Sequence, residues 1–521
     1  MNQADFSKWR AFFWPIYRWE LKKFLSMLGM FFLIALNYNV LRTFKDSMVV
    51  TAPNAGAEAI PFIKVWAILP SALLLTYIFT RLANRFQREK VFYIMMSIFM
   101  VFFFVFTFVL YPLRDSLHPN HLADQLQSIL PQGFKGLIAM VRNWTFTLFY
   151  VMSELWSTAI MSVLFWGFAN EVTTVNEAKR YYGLLMIGAN IASILAGQLS
   201  YYLSTLPFIP AIPYGTTKWE QSIGLMTCII LASGVATVAI FRFLNRHLAT
   251  ATEERVEKTE KKTEKIKQSL RKNFSYLLKS KYLICIALIV LTYNVAINLV
   301  EVVWKNQIKA VYPDSSDFQA YMSHVTTQIG IVATLISAFV INGAMRRFSW
   351  TTNALVPLAV MLLTGAGFFT FVLFQDAPFI SALAAFAGFT PAVLGLFLGS
   401  CQNILARSCK YTFFDATKEI SFIPLSNESK LKGKAAIDGV GSRLGKSGGS
   451  VIHQGLLIFC STVAASAPYV ASIFFIILFI WLLAAVSLGK KFNQLVTNKE
   501  TLDVTDAEPV FAESQPIFPK N

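Results

Sequence analysis

Two cationic side chains, Arg443 and Lys446, lie in a glycine-rich stretch from Asp438 to Gly449 whose flanks predict a membrane-spanning helix. A cation near the centre of a bilayer costs about 2.5–3.5 kcal/mol, so it usually faces a water-filled cavity or a charged partner. The two residues are three apart and share one face of a helix. Five glycines leave that face open to a ligand or a second helix. We predict that both cations line a polar path; snorkelling to the interface is the alternative.

The tripeptide Gly445-Lys446-Ser447 is similar to the end of a phosphate-binding P-loop, but the spacing excludes that motif. A P-loop has a glycine five positions before the glycine that precedes the lysine, and that position is Val440 here. A P-loop also follows a buried strand, whereas residues 430–434 form a basic segment. We therefore interpret the stretch as part of a helix that lines a polar path.

Further acidic residues and lysines fall in or beside apolar spans, among them Lys64 in the second span and Asp438 at the start of the eleventh. Lys45 and Asp46 end the first predicted span, where Lys45 either faces the same path or snorkels to the outer interface. Glu154 has no cation nearby in sequence, which favours a cavity-facing carboxylate that binds protons or a partner cation. Glu301 precedes Lys305 by four residues, so an intrahelical ion pair is the alternative to a role in the cavity.

The cations Lys45, Arg443 and Lys446 give the predicted path an excess of positive charge. Lysine acts on phosphate as a point charge, and arginine binds phosphate through two parallel hydrogen bonds. The path therefore suits an anion that carries several negative charges. Aromatic side chains in the spans could stack a base, and ordinary packing is the alternative for each of them. These aromatic residues are Tyr38, Trp66, Trp156 and Tyr293.

The composition is that of an integral membrane protein. The chain has 521 residues, of which 55% are hydrophobic and 14% charged, so no soluble enzyme domain is left over. A membrane-embedded transferase would need a metal-binding acidic cluster or paired histidines within a span, and the five histidines here are scattered. The five cysteines show no paired spacing. We expect no metal, no cofactor and no enzymatic activity.

Apolar runs long enough to cross a bilayer predict an all-α membrane protein with twelve transmembrane helices. The net charge of +17 comes from lysines and arginines that concentrate in short loops. Their distribution follows the positive-inside rule when both chain termini are cytoplasmic. The predicted spans are 24–41, 60–80, 91–111, 144–168, 181–204, 221–243, 282–303, 324–345, 353–375, 379–406, 435–460 and 467–488.

The two halves of the chain resemble each other. Tyr38-Asn39-Val40 recurs as Tyr293-Asn294-Val295, and Asn176-Glu177 recurs as Asn427-Glu428. Two six-helix pseudo-repeats of this parallel kind build the major-facilitator architecture, in which the substrate lies near the midplane between the halves. We therefore predict a major-facilitator-like fold.

The predicted spans divide the chain into five segments. Residues 1–23 form an interfacial segment at the N-terminus, and residues 24–243 form the first six-helix half. Residues 244–281, rich in lysine and glutamate, form a cytoplasmic linker, for which we expect no nucleic-acid binding. Residues 282–488 form the second half, and residues 489–521 form a disordered C-terminal tail.

Five ordered blocks of this sequence resemble the nucleotide transporters, or ATP/ADP translocases, of plastids and obligate intracellular bacteria. The resemblance runs from about Trp9 to Lys491, which is nearly the whole chain. The blocks are Arg42-Thr43-Phe44-Lys45-Asp46, Ser153-Glu154-Leu155-Trp156, Phe165 to Glu171, Asn298 to Val302 and Asp438 to Gly449.

The resemblance implies a membrane transporter that exchanges ATP for ADP across a bacterial inner membrane by alternating access. It ties Lys45, Glu154, Glu301 and Lys446 to nucleotide transport. Together with the residue-based analysis, it assigns Lys45, Arg443 and Lys446 to the phosphates, and Glu154, Glu301 and Asp46 to coupling or charge balance. Phosphate and protons are candidate co-substrates; membrane lipid surrounds a protein that we expect to be a monomer.

One block departs from the family pattern. The first block of the family usually reads Arg-Asp-Thr-Lys-Asp, and Thr43 and Phe44 stand here in place of Asp-Thr. The loss of an acid near Lys45 favours a second branch of the family, whose members import nucleoside triphosphates with protons or exchange a broader set of nucleotides. From the sequence, exchange and proton symport both stay open.

Overall fold

The computed structural model describes most of the chain as one bundle of helices. The described residues are 14–253, 280–426, 429–430, 433–434, 437, 442–498, 500 and 502. Within these ranges nothing is described of the side chains of residues 175, 176, 179, 247–253, 342, 346, 442–444 and 446. Asp438 and the side chains of Arg443 and Lys446 therefore lie outside the described residues.

Residues 14–253 form the N-terminal half of the bundle. Its long helices are apolar enough to cross a membrane, and three short helices lie between the third and fourth of them. The helices are α1 (Leu21–Val50), α2 (Ala59–Arg85), α3 (Arg88–Leu110), α4 (Arg114–Leu117), α5 (Asn120–Ile129), α6 (Lys135–Arg142), α7 (Trp144–Val172), α8 (Val175–Thr205) and α9 (Lys218–Glu253).

The described residues between 280 and 502 form the C-terminal half. Its helices are α10 (Lys281–Val311), α11 (Ser315–Val340, continued by Ile341–Arg347), α12 (Trp350–Leu373), α13 (Pro378–Phe386), α14 (Pro391–Ser421), α15 (Ser442–Cys460) and α16 (Val463–Asn498).

The described residues contain ten helices long and apolar enough to cross a membrane, or eleven if α13 and α14 together count as a span. Helix α15 lies within the predicted span 435–460 but is not among them. The described part of the chain is therefore all-helical and multi-pass. The count of twelve and the repeat relationship stay predictions.

The predicted span 379–406 is not a single straight helix, since it is broken between α13 and α14. Helices α13 and α14 meet at 78°, because Gly388 adopts a positive φ of 76° that ends α13. The amide of Phe389 donates to the Ala384 carbonyl in the turn. Thr390 then accepts from the Val393 amide and caps α14, which starts with a proline.

Several helix ends also differ from the predicted bounds. Described residues 14–17 are not helical and 18–20 form a single 3-10 turn that leads into α1, so this part of the predicted interfacial segment is no separate helix. Helix α1 continues to Val50, which places Lys45 and Asp46 inside it rather than at its end. Helix α9 enters the predicted linker, and α16 extends beyond 488 into the predicted tail.

The two halves touch most closely where α8 crosses α11. A Cβ atom on Gly197 would collide with the Thr327 hydroxyl oxygen, and one on Gly330 would lie 2.8 Å from the Asn190 carbonyl oxygen. Only a residue without a side chain permits this approach in either helix. The glycines thus fix how the halves meet near the middle of the bundle.

The halves are joined at one end of the bundle, which we call the closed end, where α1 ends and α2 begins. Thr51 and Ser315 share a hydrogen bond of 2.7 Å there, and Lys309 donates to the Ala55 carbonyl. All hydrogen bonds and ion pairs between described residues of the two halves lie from the middle of the bundle to this end. We call the opposite end the open end, because no such contact joins the described residues there.

Candidate functional site

Five of the charged residues predicted for the spans meet in one largely buried network at the interface of the two halves: Lys45, Asp46, Glu154, Glu301 and Lys305. Lys45 of α1 is 5% exposed, and its Nζ lies 3.3 Å from Asp46 Oδ1 and 3.2 Å from Glu154 Oε2 of α7. The same ammonium lies 3.7 Å from the centre of the Tyr150 ring. The N-terminal half therefore surrounds Lys45 with two carboxylates and an aromatic face.

Glu301 of α10 is the corresponding centre in the C-terminal half. Its Oε1 lies 2.8 Å from Lys305 Nζ and 3.0 Å from Arg407 Nη2, and its Oε2 lies 3.7 Å from Lys64 Nζ. The intrahelical pair of Glu301 and Lys305 is thus present. Because the Lys305 side chain is 0% exposed, the pair is not the weak surface contact that this spacing usually gives.

Two ion pairs connect the centres across the halves. Asp46 Oδ2 lies 2.7 Å from Lys305 Nζ, and Lys64 of α2 reaches Glu301 and donates to the Asn298 side chain. Neighbouring residues of a helix point about 100° apart, so Lys45 can face α7 while Asp46 faces α10. The network of described residues holds Lys45, Lys64, Lys305 and Arg407 against Asp46, Glu154 and Glu301, an excess of one positive charge.

Hydrogen bonds between uncharged side chains of the two halves lie beside the network toward the closed end. Ser47 donates to Gln319 Oε1 at 2.6 Å, and Gln319 Nε2 donates to the Thr43 hydroxyl at 2.9 Å. Thr43, one of the two departures from the family block, therefore serves a contact between halves. The other departure, Phe44, packs edge-to-face against Phe149 at 4.9 Å. Both departures act in packing and hydrogen bonding rather than in the charge network.

The aromatic candidates have different surroundings. Trp156 is fully buried, and its indole donates to the Ile34 carbonyl at 3.2 Å. Tyr293 is 2% exposed and packs between Phe414 and Trp481. Trp66 is 59% exposed and Tyr38 is half-buried. In this conformation only the latter two present an accessible ring, and a stacking role stays a prediction for all four.

The described part of the glycine-rich stretch, residues 442–449, has its backbone against α10 at the level of the network. A Cβ atom on Gly445 would lie 2.8 Å from Asn294 Cβ, and one on Gly449 would lie 3.2 Å from Asn298 Cβ. The glycines therefore let α15 approach the residue that accepts from Lys64. The phosphate role predicted for Arg443 and Lys446 stays a prediction, since their side chains lie outside the description.

Sequence reasoning missed Arg407, and it gave Lys64 and Lys305 no substrate role. Arg407 follows directly after the predicted end of the tenth span at 406, although α14 continues to Ser421. The available signal was the spacing of four between Asn403 and Arg407, which extends one polar face of that helix. Among the described residues, no group of His, Cys, Asp or Glu could hold a metal ion.

Two solved structures have a similar fold. The inward-facing bacterial homologue of the iron transporter ferroportin matches with a TM-score of 0.51 at 14% identity, over 92% of this chain and 99% of that one. The inward-facing bacterial homolog of the human lysosomal transporter Spinster matches with a TM-score of 0.51 at 11% identity, over 92% and 98%. These matches show that the chain shares the overall helical fold of these two structures.

Relatives with much higher sequence identity identify the family. The chain is 45% identical to ADP,ATP carrier protein 1 of Chlamydia trachomatis over 96% of this chain and 94% of the relative. It is 40% identical to the chloroplastic ADP,ATP carrier protein 1 of Arabidopsis thaliana over 92% of this chain and 75% of the relative. The family model described as TLC ATP/ADP transporter matches residues 1–492, and the chain therefore belongs to this family.

Proposed function

We propose that this protein exchanges ATP and ADP across a bacterial inner membrane by alternating access. The observation that carries the proposal is the buried, cation-rich network at the interface of two halves whose described residues form hydrogen bonds and ion pairs with each other from the middle of the bundle to one end. The names of its relatives, ADP,ATP carriers, supply the substrate class. With both termini cytoplasmic, the open end faces the cytoplasm and the conformation is inward-facing.

The phosphates of the nucleotide bind Lys45, Arg443 and Lys446. Lys45 faces the interface from α1, and the α15 backbone next to Lys446 lies against α10, so cations from both halves can reach one polyanion. Asp46, Glu154 and Glu301 neutralise these and neighbouring cations while no substrate is bound. The base stacks on Tyr38 or Trp66, the two candidate rings that are accessible here, with Trp156 and Tyr293 as candidates in other conformations.

The two ion pairs that cross the halves favour exchange over proton symport. Opening the closed end must separate Asp46 from Lys305 and Lys64 from Glu301. Loss of a buried partner leaves an uncompensated charge, at a cost of about 3–5 kcal/mol. In the empty protein Lys305 keeps Glu301, whereas Lys64 keeps no ion pair with a described carboxylate of its own half; bound phosphates supply acceptors for both cations. The loaded protein therefore changes conformation faster than the empty one, which is the kinetic definition of an exchanger.

Transport into proteoliposomes tests the function. We expect internal ADP to accelerate uptake of labelled ATP at least tenfold over empty vesicles, with no effect of an uncoupler. Lys90→Ala, a change at an exposed residue near the start of α3, is the control and should transport normally. Uptake that collapses with the proton gradient and ignores internal nucleotide would establish the symport alternative instead.

The orientation has its own test. An impermeant lysine reagent should label the segment between residues 253 and 272 only when it is applied from the cytoplasmic side. Labelling of that segment from outside intact cells would reverse the assignment of the open end.

A further inference from the structure

We propose that Lys64 and Arg407 are substrate residues that bind the terminal phosphates, and that Glu301 occupies their site as an internal substitute for phosphate in the empty protein. This inference rests on the proposed nucleotide exchange. It adds a phosphate site to the one predicted around Lys45, Arg443 and Lys446.

The geometry around Glu301 is that of an anion site already filled by the protein. One carboxylate meets three cations from three helices: Lys64 of α2, Lys305 of α10 and Arg407 of α14. Lys305 also has Asp46 at 2.7 Å, whereas Glu301 is the carboxylate that Lys64 and Arg407 share. A single negative charge cannot neutralise both, so an anion with more charge would bind them better.

Arg407 is incompletely satisfied by Glu301. Its Nη2 donates to Glu301 Oε1, but its buried Nε has no hydrogen-bond partner among the described residues. An N–H left unpaired in a buried site is unfavourable, and the Nε and Nη2 edge of a guanidinium forms a fork that matches two oxygens of one phosphate. A phosphate in place of the carboxylate would satisfy both donors.

The contact of Lys64 with Glu301 is loose enough for a phosphate to replace Glu301. The distance of 3.7 Å from Lys64 to Glu301 is long for an ion pair, and the Lys64 side chain is largely buried. The residue lies in a π-helical segment of α2, Ile63–Ile68, a local widening of the helix that is frequent at functional sites. Because Lys64 and Arg407 come from opposite halves, a phosphate that binds both would contact both halves and release Lys64 from Glu301.

Affinity measured on the purified protein tests the inference. We expect Arg407→Ala to weaken ATP binding at least tenfold and AMP binding less than threefold, because AMP has no terminal phosphates to lose the contact. Arg407→Lys should recover part of the ATP affinity, since a point charge replaces the fork only in part. Lys64→Gln should also weaken ATP more than AMP, and Lys90→Ala should change neither.

Glu301→Gln distinguishes competition between Glu301 and phosphate from a purely structural role of Glu301. Without the competing charge, ATP should bind at least as tightly as in the wild type, with a lower KM, while the turnover rate falls at least tenfold. If Arg407→Ala does not fold, as judged by thermal melting, Lys64→Gln and Glu301→Gln still test the inference. Wild-type ATP affinity in folded Arg407→Ala or Lys64→Gln, or a raised KM in Glu301→Gln, would overturn the inference. Failure of the wild type to bind or exchange nucleotides would instead refute the proposed function.

Discussion

The ion pair between Asp46 and Lys305 should set how strictly transport depends on exchange. Its atoms are 2.7 Å apart, both side chains are at most 1% exposed, and the pair joins α1 to α10. If the pair keeps the empty protein from changing conformation, Asp46→Asn should let it return without substrate. Labelled nucleotide would then leave preloaded vesicles when none is present outside.

The size of the effect follows from the partners that remain. Removing one member of a buried ion pair costs about 3–5 kcal/mol. After Asp46→Asn, Lys305 keeps Glu301 at 2.8 Å and Lys45 keeps Glu154 at 3.2 Å, so we expect the lower figure. About 3 kcal/mol corresponds to roughly a hundredfold shift in the conformational equilibrium. The ratio of exchange to unaccompanied efflux should fall by a similar factor.

The assay is efflux from preloaded proteoliposomes with and without external ADP. Lys218→Gln is a matched control, because Lys218 also pairs across the halves, with Asp317 at 3.5 Å, but both residues are exposed. An exposed pair contributes about 0–1 kcal/mol, so this variant should keep strict exchange. Efflux from folded Asp46→Asn vesicles that still requires external ADP would refute the role of the pair.

Three further predictions concern the phosphate site, the ion pair between Lys23 and Glu177, and the packing of α8 on α11. Lys446→Ala should lower ATP uptake at least tenfold at normal expression, since a lost charge-assisted contact costs about 1.5–3 kcal/mol; normal uptake would remove Lys446 from the site. Burial would raise the pKa of Glu177, but hydrogen bonds from Lys23 and the Thr174 amide outweigh it and hold the pKa below 4.5. The ion pair between Lys23 and Glu177 therefore stabilises the fold above pH 4.5, and this stabilisation is lost as the pH falls through the lowered pKa. Below pH 4.5 the Tm of the wild type should drop more than the Tm of Glu177→Gln; an equal drop in both Tm values would contradict this. Gly197→Val should lower the Tm, because its side chain would clash with α11, and overpacking of this kind costs about 1–3 kcal/mol; an unchanged Tm would show that the halves can shift apart.

The first block shows how a local pattern can mislead about a site. Thr43 and Phe44 depart from the family pattern beside Lys45, which from the sequence favours a change in coupling. In the structure Thr43 faces Gln319 of the other half, and Phe44 packs among aromatic rings. Lys45 retains two carboxylates without them. The departures therefore give no reason to abandon exchange.

Some of the charged residues in the network can be predicted from the sequence, and others cannot. Lys45, Asp46, Glu154 and Glu301 were recognised because charge within an apolar run is costly wherever the helix packs. Arg407 was not recognised, because the apolar pattern fades before it while α14 continues. Hydrophobicity reports the length of a span poorly where the helix lines a polar interface instead of facing lipid.

The sequence alone determined that the chain is an all-helical membrane protein of a nucleotide-transporter kind, and which charged residues would be expensive to bury. These properties depend on residue type and local order, which the printed chain contains. Only the tertiary structure decided the partners: Asp46 with Lys305, Lys64 with Glu301, and Arg407 with Glu301. Those pairs join residues far apart in sequence, and the packing of whole helices, such as α8 on α11 through Gly197 and Gly330, sets which charges meet.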